Sequence, residues 1–358
     1  MFLLPHAEPH QRYQPEDAVV VLTYRCNSRC AMCHIWQSDQ SGVGELTPSE
    51  YERALPNTLR YVNLTGGEVF LRNDLAEVID AVRRAAPLAS VVVSTNGMQP
   101  QRTQLMLPAI LAANPNVGFA VSIDGDETTH DRIRGVNGAW RRARETIEVL
   151  RNASLANIRI AFTASSTGAG SNVSLLGVVY DLSRELGVEF TCAIAHNSEH
   201  YFHIKSNRRV PPEELGPQLD RVARTELLTS EVKRWYRAYF YHGLLEHARA
   251  GTRPTPCEAA HTSFMLDPIG NVFPCNILNL PIGNVRQTAF QSIWESSVMH
   301  ATREVVRNCD QPCWMVCTAR ASIQRDQKLV MSWIEKNKER AHLGLPVLAA
   351  IATSDKLP

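Results

Sequence analysis

The stretch Val19-Val-Val-Leu-Thr-Tyr-Arg-Cys26-Asn-Ser-Arg-Cys30-Ala-Met-Cys33 places three cysteines directly after a short apolar run. An apolar run of this length predicts a buried strand, so the cysteines fall on the loop at its carboxyl end. Three thiolates on one loop can hold three irons of a [4Fe–4S] cluster and leave the fourth iron open to a chelating ligand. The alternatives are a zinc site, for which His34 is an adjacent candidate, and a ferredoxin-type cluster. Both ordinarily need a fourth ligand that this loop lacks.

A second motif, Thr65-Gly66-Gly67-Glu68, follows the apolar segment 61–64. The two glycines permit the backbone to approach a ligand closely, and the Glu68 carboxylate can accept hydrogen bonds from an ammonium group. A Gly-Gly-Glu turn by itself is usually only a turn. Its position one strand after a three-cysteine loop makes the pair far more specific.

Together these motifs resemble those of the radical S-adenosylmethionine (SAM) superfamily. The resemblance implies that the open iron chelates the amino and carboxylate groups of SAM, and that the Gly66-Gly67-Glu68 turn holds the amino group. It also implies that Met32 packs near the adenine. The family commonly has an aromatic residue there, and a thioether can still pack on a ring.

The resemblance continues into the next two apolar segments, 91–97 and 119–125, and into His130-Asp-Arg-Ile-Arg-Gly135. It implies that Ser122 contacts the ribose and that Arg134 reaches the methionine carboxylate. The alternative interpretations are strand-end capping for Ser122 and Asp124, and a salt bridge at a helix start for Arg134. The full set of residues that we expect at the cofactor is Met32, Gly66, Gly67, Glu68, Ser94, Asn96, Ser122, Asp124 and Arg134.

Composition excludes several classes of protein. The chain has 358 residues and a formal net charge of +1, which favours neither nucleic acid nor an anionic membrane surface as a partner. No apolar stretch approaches the ~20 residues of a spanning helix, and the start of the chain lacks the basic flank of a signal peptide. Nine cysteines without an export signal indicate metal ligands, so we expect a cytoplasmic protein.

Strand-like and helix-like segments alternate through the first two thirds of the chain, which predicts parallel βαβ units. The expected strands are 18–23, 60–65, 89–95, 117–123, 157–164 and 188–195, and helical spacing covers 75–86, 140–151 and 175–186. We therefore expect an α/β fold, a partial (β/α)6 radical SAM barrel with a C-terminal cysteine-rich SPASM/twitch-like domain. The expected divisions are an extension at 1–17, the barrel at 18–210, a helical linker at 211–252, the auxiliary domain at 253–330, and a helix and tail at 331–358.

A second group of cysteines lies in the last third of the chain. Turn residues 268–271 predict a β-hairpin that brings Cys257 near Cys275, and the spacing of Cys309, Cys313 and Cys317 would align these three on one helical face if the segment is helical. The group resembles the SPASM/twitch extension, whose full form has seven cysteines for two clusters. Five cysteines imply one auxiliary [4Fe–4S] cluster, with its ligands among 309, 313 and 317 left open. A zinc-ribbon-like site is the alternative.

The resemblance implies reductive cleavage of SAM to a 5′-deoxyadenosyl radical, which abstracts a substrate hydrogen atom. Because the cysteine loop comes early in the chain, we expect a small polar metabolite such as a sugar or aminocyclitol, oxidised or epimerised in natural-product biosynthesis. Peptide modification and an iron–sulfur electron carrier are the rival functions, and the expected electron donor is a flavodoxin or ferredoxin. Cys192 is a candidate hydrogen donor, with a buried core residue as the alternative. His196, Glu199 and His200 are candidate substrate contacts, with a solvated loop as the alternative.

Overall fold

The computed structural model describes residues 13–168, 170–311 and 313–348. The strands are β1 Asp17–Thr23, β2 Tyr61–Gly66, β3 Ser90–Thr95, β4 Gly118–Ser122, β5 Ile158–Ala164, β6 Glu189–Ile194, β7 Ser263–Leu266, β8 Asn271–Phe273 and β9 Gly283–Asn284. The helices are α1 Pro48–Ala54, α2 Leu75–Ala85, α3 Pro100–Ala113, α4 Glu127–Arg134, α5 Ala139–Asn152, α6 Leu176–Glu185, α7 Pro212–Leu227, α8 Val232–Ala250, α9 Phe290–Trp294, α10 Ser297–Arg307, α11 Val316–Arg325 and α12 Gln327–His342.

The first six strands pair in chain order and in parallel, each followed by at least one helix, so the predicted partial (β/α)6 barrel is confirmed. Strand β1 is buried along its whole length, as a parallel strand covered on both faces must be. Its continuous Val-Val-Val-Leu run follows from that environment. The carboxyl ends of all six strands lie at one edge, where the cysteine loop and the glycine turn meet.

The segment predicted as a helical linker contains two helices, α7 and α8. Helices α7 and α8 are separated at residues 228–231 and pack against each other, with α7 also on α6 and α8 also on β6. At Gly243 in α8 an added Cβ would overlap the ring of Trp314, which is fully buried. The absence of a side chain at Gly243 therefore lets the C-terminal segment press against this helix.

The predicted hairpin is present as β7 and β8, which pair antiparallel around the turn that follows Asp267. Strand β7 also pairs in parallel with β1, so the described strands form one nine-stranded sheet in the order β6-β5-β4-β3-β2-β1-β7-β8-β9. The C-terminal segment is thus built onto the free edge of the barrel. The domain boundaries predicted from the sequence remain predictions. One continuous sheet contains strands from both sides of the boundary predicted at residue 253.

The helical arrangement proposed for the last three cysteines is wrong. Cys309 and Cys313 lie in irregular chain after α10, and only Cys317 lies in a helix, α11. Helix α12 contains the helical part of the segment predicted at 331–358 and begins four residues before it. The start of the predicted N-terminal extension and the end of the predicted tail lie outside the described residues. Within the described ranges, none of the helices has the length and apolar character needed to cross a bilayer.

Candidate functional site

A cavity of about 250 Å³ opens at the carboxyl ends of the barrel strands. We call it the carboxyl-end cavity. Cys26, Cys30 and Cys33 all line it, as the cysteine motif predicts. Of the residues expected at the cofactor, the lining also includes Met32, Gly66, Gly67, Ser94, Asn96, Ser122 and Arg134.

The three thiols of this loop are held in a setting rich in hydrogen-bond donors. The Ser28 backbone N–H lies 3.4 Å from the Cys26 sulfur, and Arg134 Nη1 lies 3.8 Å from the Cys30 sulfur. Burial, and secondly the charge of Cys30, raise the pKa of Cys26 and of Cys33 to about 12. These thiols are therefore protonated at neutral pH, and iron binding must displace their protons.

The glycines of the turn lie very close to the backbone of the cysteine loop. A Cβ at Gly66, which has φ +146°, would overlap the Thr23 carbonyl, and a Cβ at Gly67 would overlap the Arg25 carbonyl. The Gly67 N–H donates to the Thr23 carbonyl at 2.8 Å. Close packing of the turn against the start of the cysteine loop demands glycine at both positions.

The Glu68 carboxylate is also placed differently from our expectation. It is buried and does not line the cavity. Its oxygens accept hydrogen bonds from the Phe70 N–H at 3.1 Å, the Thr95 hydroxyl at 2.8 Å and the Asn96 N–H at 2.7 Å. The side chain ties the end of β2 to the end of β3, so in this structure it orients the cavity wall and offers no exposed oxygen to an ammonium group.

Asp124 likewise acts behind the cavity wall. It is fully buried, and its carboxylate forms an ion pair with Arg134 at 2.5 Å. The Asp124 N–H donates to His130 Nδ1 at 3.0 Å, and burial lowers the pKa of His130 to about 2, so this imidazole is neutral. Asp124 thus takes a strand-end position, as the alternative interpretation has it, but the salt bridge of Arg134 forms at the end of α4 and not at a helix start. The ion pair holds Arg134 at the cavity lining.

Two donors at the lining have no partner in the described structure. Trp36 Nε1 and Arg134 Nε are buried nitrogen atoms without a hydrogen bond. Buried donors are normally satisfied, so both fit a ligand that brings acceptor oxygens or nitrogens. Trp36 and Phe202 also supply aromatic surface to the cavity. Sequence reasoning missed both, although Trp36 follows Cys33 by only three positions.

Cys192 is misplaced for a hydrogen donor. It is 2% exposed and belongs to the apolar core, opposite Phe162 on β5. The residues on either side of Phe162, Ala161 and Thr163, line the cavity, so Phe162 and Cys192 face the helices instead. The candidate role is withdrawn in favour of the core residue.

The three candidate substrate contacts separate in space. His196 lines the cavity, but its ring donates from Nδ1 to the Ile194 carbonyl at 2.6 Å and accepts the Trp314 N–H at Nε2 at 3.3 Å. Glu199 is exposed and paired with Lys205 at 2.9 Å. His200 bonds the Cys275 carbonyl at 3.1 Å. None of the three presents a free polar group to the cavity.

The cysteines of the C-terminal segment influence one another. Burial raises the pKa of each thiol first. Neighbouring thiols then raise it further: Cys313 acts on Cys257, Cys275 and Cys317, Cys257 acts on Cys309, and Cys309 acts on Cys313. The N–H groups of residues 277 and 278 each lie 3.4 Å from the Cys275 sulfur. Backbone donors aimed at sulfur are a feature of iron–sulfur sites.

In the described parts of the chain, no three cysteine, histidine or carboxylate side chains are grouped closely enough to hold a single metal ion. A closed zinc site requires such a group. A four-iron cluster is less demanding, because each cysteine binds a different iron and the sulfurs stand farther apart. The two groups of thiols fit a cluster better than a single zinc ion.

Comparison with protein families identifies two regions of the chain. Residues 20–165 match the model of the radical SAM superfamily, and residues 257–318 match the iron-sulfur cluster-binding domain called SPASM. The chain is a radical SAM enzyme that belongs to this superfamily and has a C-terminal SPASM domain. The cofactor of the radical SAM domain is a [4Fe–4S] cluster that binds SAM, and the SPASM domain binds auxiliary iron–sulfur clusters.

Among curated relatives, the AdoMet-dependent heme synthase of Methanosarcina barkeri is 26% identical over 302 residues, covering 77% of this chain and 81% of the relative. The antilisterial bacteriocin subtilosin biosynthesis protein AlbA of Bacillus subtilis is 24% identical, covering 80% of this chain and 61% of its own length. The mycofactocin maturase MftC of Mycobacterium tuberculosis is 26% identical, with coverages of 77% and 69%.

Solved structures share the fold. SuiB of Streptococcus suis bound to S-adenosylmethionine superposes with a TM-score of 0.60 at 15% identity, covering 81% of this chain and 68% of SuiB. A second SuiB structure contains the precursor peptide SuiA and has a TM-score of 0.58 at 14% identity, with coverages of 81% and 67%. Native anSMEcpe with bound AdoMet has a TM-score of 0.57 at 13% identity, covering 90% of this chain and all of that one (100%).

Proposed function

We propose that this radical SAM enzyme modifies a peptide. The observation that carries the proposal is the shape of the barrel interior. A second and larger cavity, about 770 Å³, opens at the amino ends of the same strands, opposite the carboxyl-end cavity. We call it the amino-end cavity. An interior that opens at both ends suits an extended substrate, and names of relatives such as subtilosin biosynthesis protein and maturase point the same way.

On β4, β5 and β6, the level between the two cavities is lined by small side chains. Ala120, Ala161 and Ala193 line the carboxyl-end cavity, while Gly118 and Thr191, two positions earlier on their strands, line the amino-end cavity. Side chains two apart on a strand face the same side. Closed (β/α)8 barrels instead fill this space with branched residues. Small side chains leave room for a substrate group to approach the cysteine loop from the amino-end cavity.

The proposed ligands of the SAM-binding cluster are Cys26, Cys30 and Cys33. When bound, SAM and its cluster supply the one-electron chemistry that removes a hydrogen atom from the substrate. The protein binds and orients SAM: Arg134, held by Asp124, pairs with the methionine carboxylate, and Trp36 provides an indole donor and a stacking surface.

The proposed ligands of one auxiliary cluster come from Cys257, Cys275, Cys309, Cys313 and Cys317, because burial and a neighbouring thiol both raise the pKa of each of these five thiols. Cys317 also packs against a small apolar cluster that includes Val19, Val21, Met265 and Phe273, as Cys26 and Cys33 do, so this packing does not exclude it as a ligand.

The expected small polar metabolite receives no specific support from the relatives, and neither oxidation nor epimerisation is favoured over the other. A tetrapyrrole is the second candidate substrate, because the heme synthase relative aligns over 81% of its own length. An electron carrier explains neither the unpaired donors at the cavity nor the aromatic surface beside them.

The test is anaerobic turnover. Protein reconstituted with iron and sulfide is mixed with SAM and dithionite, alone and with peptides translated from short reading frames beside its gene. We expect 5′-deoxyadenosine in both mixtures, faster with the true substrate, and a mass change in that peptide. The variant with Cys26, Cys30 and Cys33 all changed to Ala should form none.

Two results would contradict the proposal. Failure of the fully loaded protein to cleave SAM would favour an electron carrier. Cleavage stimulated by coproporphyrin but by none of the peptides would favour the tetrapyrrole.

A further inference from the structure

The amino-end cavity has a strongly basic wall. Arg159 on β5, and Lys233 and Arg237 on α8, line it together. All three cations converge on a single carboxylate, Glu189 at the start of β6. Lys233 Nζ and Arg237 Nη2 each lie 2.5 Å from Glu189, and Arg159 Nη2 lies 3.8 Å away. We name these four residues the cationic wall.

The charges of this wall do not balance. Three cations and one carboxylate leave a net charge of +2, and the fourth cation of the lining, Arg320, is already paired with Asp17. Burial raises the pKa of Glu189, but Arg237, Lys233 and Arg159 outweigh burial and the pKa lies below its usual value. The carboxylate is therefore already ionised. It contributes its full negative charge, and the wall keeps its net positive charge.

The guanidinium group of Arg159 has spare capacity for a ligand. Its side chain is only 16% exposed, and Nε is a buried donor with no hydrogen bond in the described structure. The Arg237 side chain is also only 16% exposed. Partly desolvated guanidinium groups attract carboxylates more strongly than exposed ones, and their fork geometry matches two carboxylate oxygens. Glu189 already shows that a carboxylate fits among these three cations.

The wall is also correctly placed for a substrate. Arg159 is two residues before Ala161, which lines the carboxyl-end cavity. Two residues of a strand span about 7 Å, so a group held at the wall is about one side-chain length from the cysteine end of the barrel. Asn114, Asn116 and Asn157 line the same cavity and can bond peptide amides.

We propose that the cationic wall binds a carboxylate of the substrate, supplied by an Asp or Glu side chain of the peptide. This inference rests on the proposed function and adds a selection rule to it: the modified segment lies beside an acidic residue. The shared chemistry is the carboxylate, which a tetrapyrrole would also offer.

The experiment is peptide capture by the reconstituted holoenzyme with SAM. The probe is a random decapeptide mixture, acetylated and amidated so that only side chains carry charge, and captured peptides are identified by mass spectrometry. We expect at least about threefold enrichment of Asp and Glu at low salt, and less at high salt because exposed charges are screened. The double variant Arg159→Gln/Arg237→Gln should lose the enrichment.

The matched control is Arg84→Gln, an exposed arginine paired with Asp80 and Glu52 on the outer helices. It should enrich acidic peptides as the wild type does. Because unfolding would also abolish capture, the double variant is checked by its unfolding midpoint, and a single Lys233→Gln change, at a side chain 55% exposed, should give an intermediate loss.

A parallel arm measures saturable binding of coproporphyrin, which has four carboxylates. Binding of either probe that depends on Arg159 and Arg237 supports the proposal that the cationic wall binds a carboxylate. The probe that binds identifies which source of carboxylate the wall accepts. Acidic enrichment that persists in the double variant, or no dependence on charge for either probe, overturns the inference. Because SAM cleavage without any substrate is measured separately on the wild type, failure here leaves the proposed function standing.

Discussion

At the scale of single residues, Glu68 is a polar residue whose hydrogen bonds all remain within the protein. Its three donors lie just after β2 and at the end of β3. The motif made this residue easy to find, but its partners depend on the distance between β2 and β3, which the sequence does not encode locally. The same holds for Trp36, because its place at the cavity depends on the path of the chain after Cys33.

We predict that Glu68→Gln destabilises the chain. An amide NH2 cannot accept a hydrogen bond, so at least one buried N–H or hydroxyl donor loses its partner, at a cost of about 1–3 kcal/mol. Urea unfolding at neutral pH measures the loss. Glu77→Gln, on the exposed face of α2, is the matched control and should change the unfolding free energy by less than about 0.5 kcal/mol. Equal stability of both variants would contradict the assigned role.

His196 gives a prediction on pH. Burial, and secondly the neighbouring His247, lower the pKa of His196 to about 4 from an ordinary value of 6.5. The unfolded chain therefore binds more protons than the folded one between these values, and stability present above pH 6.5 is lost as the pH falls towards 4. The unfolding free energy should fall by about 2 kcal/mol from pH 7 to pH 5 through this group.

The measurement is a series of urea titrations at pH 7, 6 and 5 on the wild type and on His196→Gln. Glutamine does not titrate in this range and has both a donor and an acceptor, so the slope with pH should be smaller in the variant. An unchanged slope would show that His196 is not the group responsible.

At the scale of elements, the alternation of side chains along a strand shows which of them face the barrel interior, once one cavity-lining residue of that strand is known. Ala161 and Thr163 face inward, so Phe162 and its neighbour Cys192 face outward. The sequence alone could not assign the faces of β6, because a parallel strand between a helical layer and a barrel interior is shielded on both sides. The strands were predictable for the same reason: long apolar, β-branched segments leave little choice of structure.

The contact between α8 and the C-terminal segment supplies a paired prediction. Gly243→Ala places a methyl group against the buried ring of Trp314, and overpacking of this kind costs about 1–3 kcal/mol. Gly216→Ala in α7 meets only ordinary contacts, the nearest at 3.7 Å from Leu245, and should stabilise the helix by up to about 1 kcal/mol. Unfolding midpoints that move in opposite directions confirm the packing; a shared direction would contradict it.

At the scale of the whole molecule, strand β7 joins two regions that the sequence suggested were separate. Residues 17–20 pair with residues 263–266, and Arg320 of α11 forms an ion pair with Asp17 of β1. No local sequence pattern predicts a pairing between strands so far apart along the chain. The radical SAM and SPASM motifs were predictable because each lies within a short segment, whereas their junction depends on tertiary contacts alone.

We therefore predict that a chain ending at residue 252 does not fold as an independent barrel. Without β7, the buried strand β1 becomes an exposed edge with unpaired backbone groups, a known route to aggregation. Size-exclusion chromatography and circular dichroism of the truncated chain, beside the full chain, test this. A monomeric fragment with a cooperative unfolding transition would contradict it.

The small residues at the middle of the barrel have one more consequence. Under the proposed function, a substituent that extends from one cavity towards the other must pass Ala120, Ala161 and Ala193, so the size of these side chains limits which substituents can do so. Regioselectivity would then reside in the scaffold as well as in the cofactor: a bulkier residue at 161 should exclude branched substrates before it affects compact ones. A library of variants at this single position could redirect the site of modification without touching any cluster ligand.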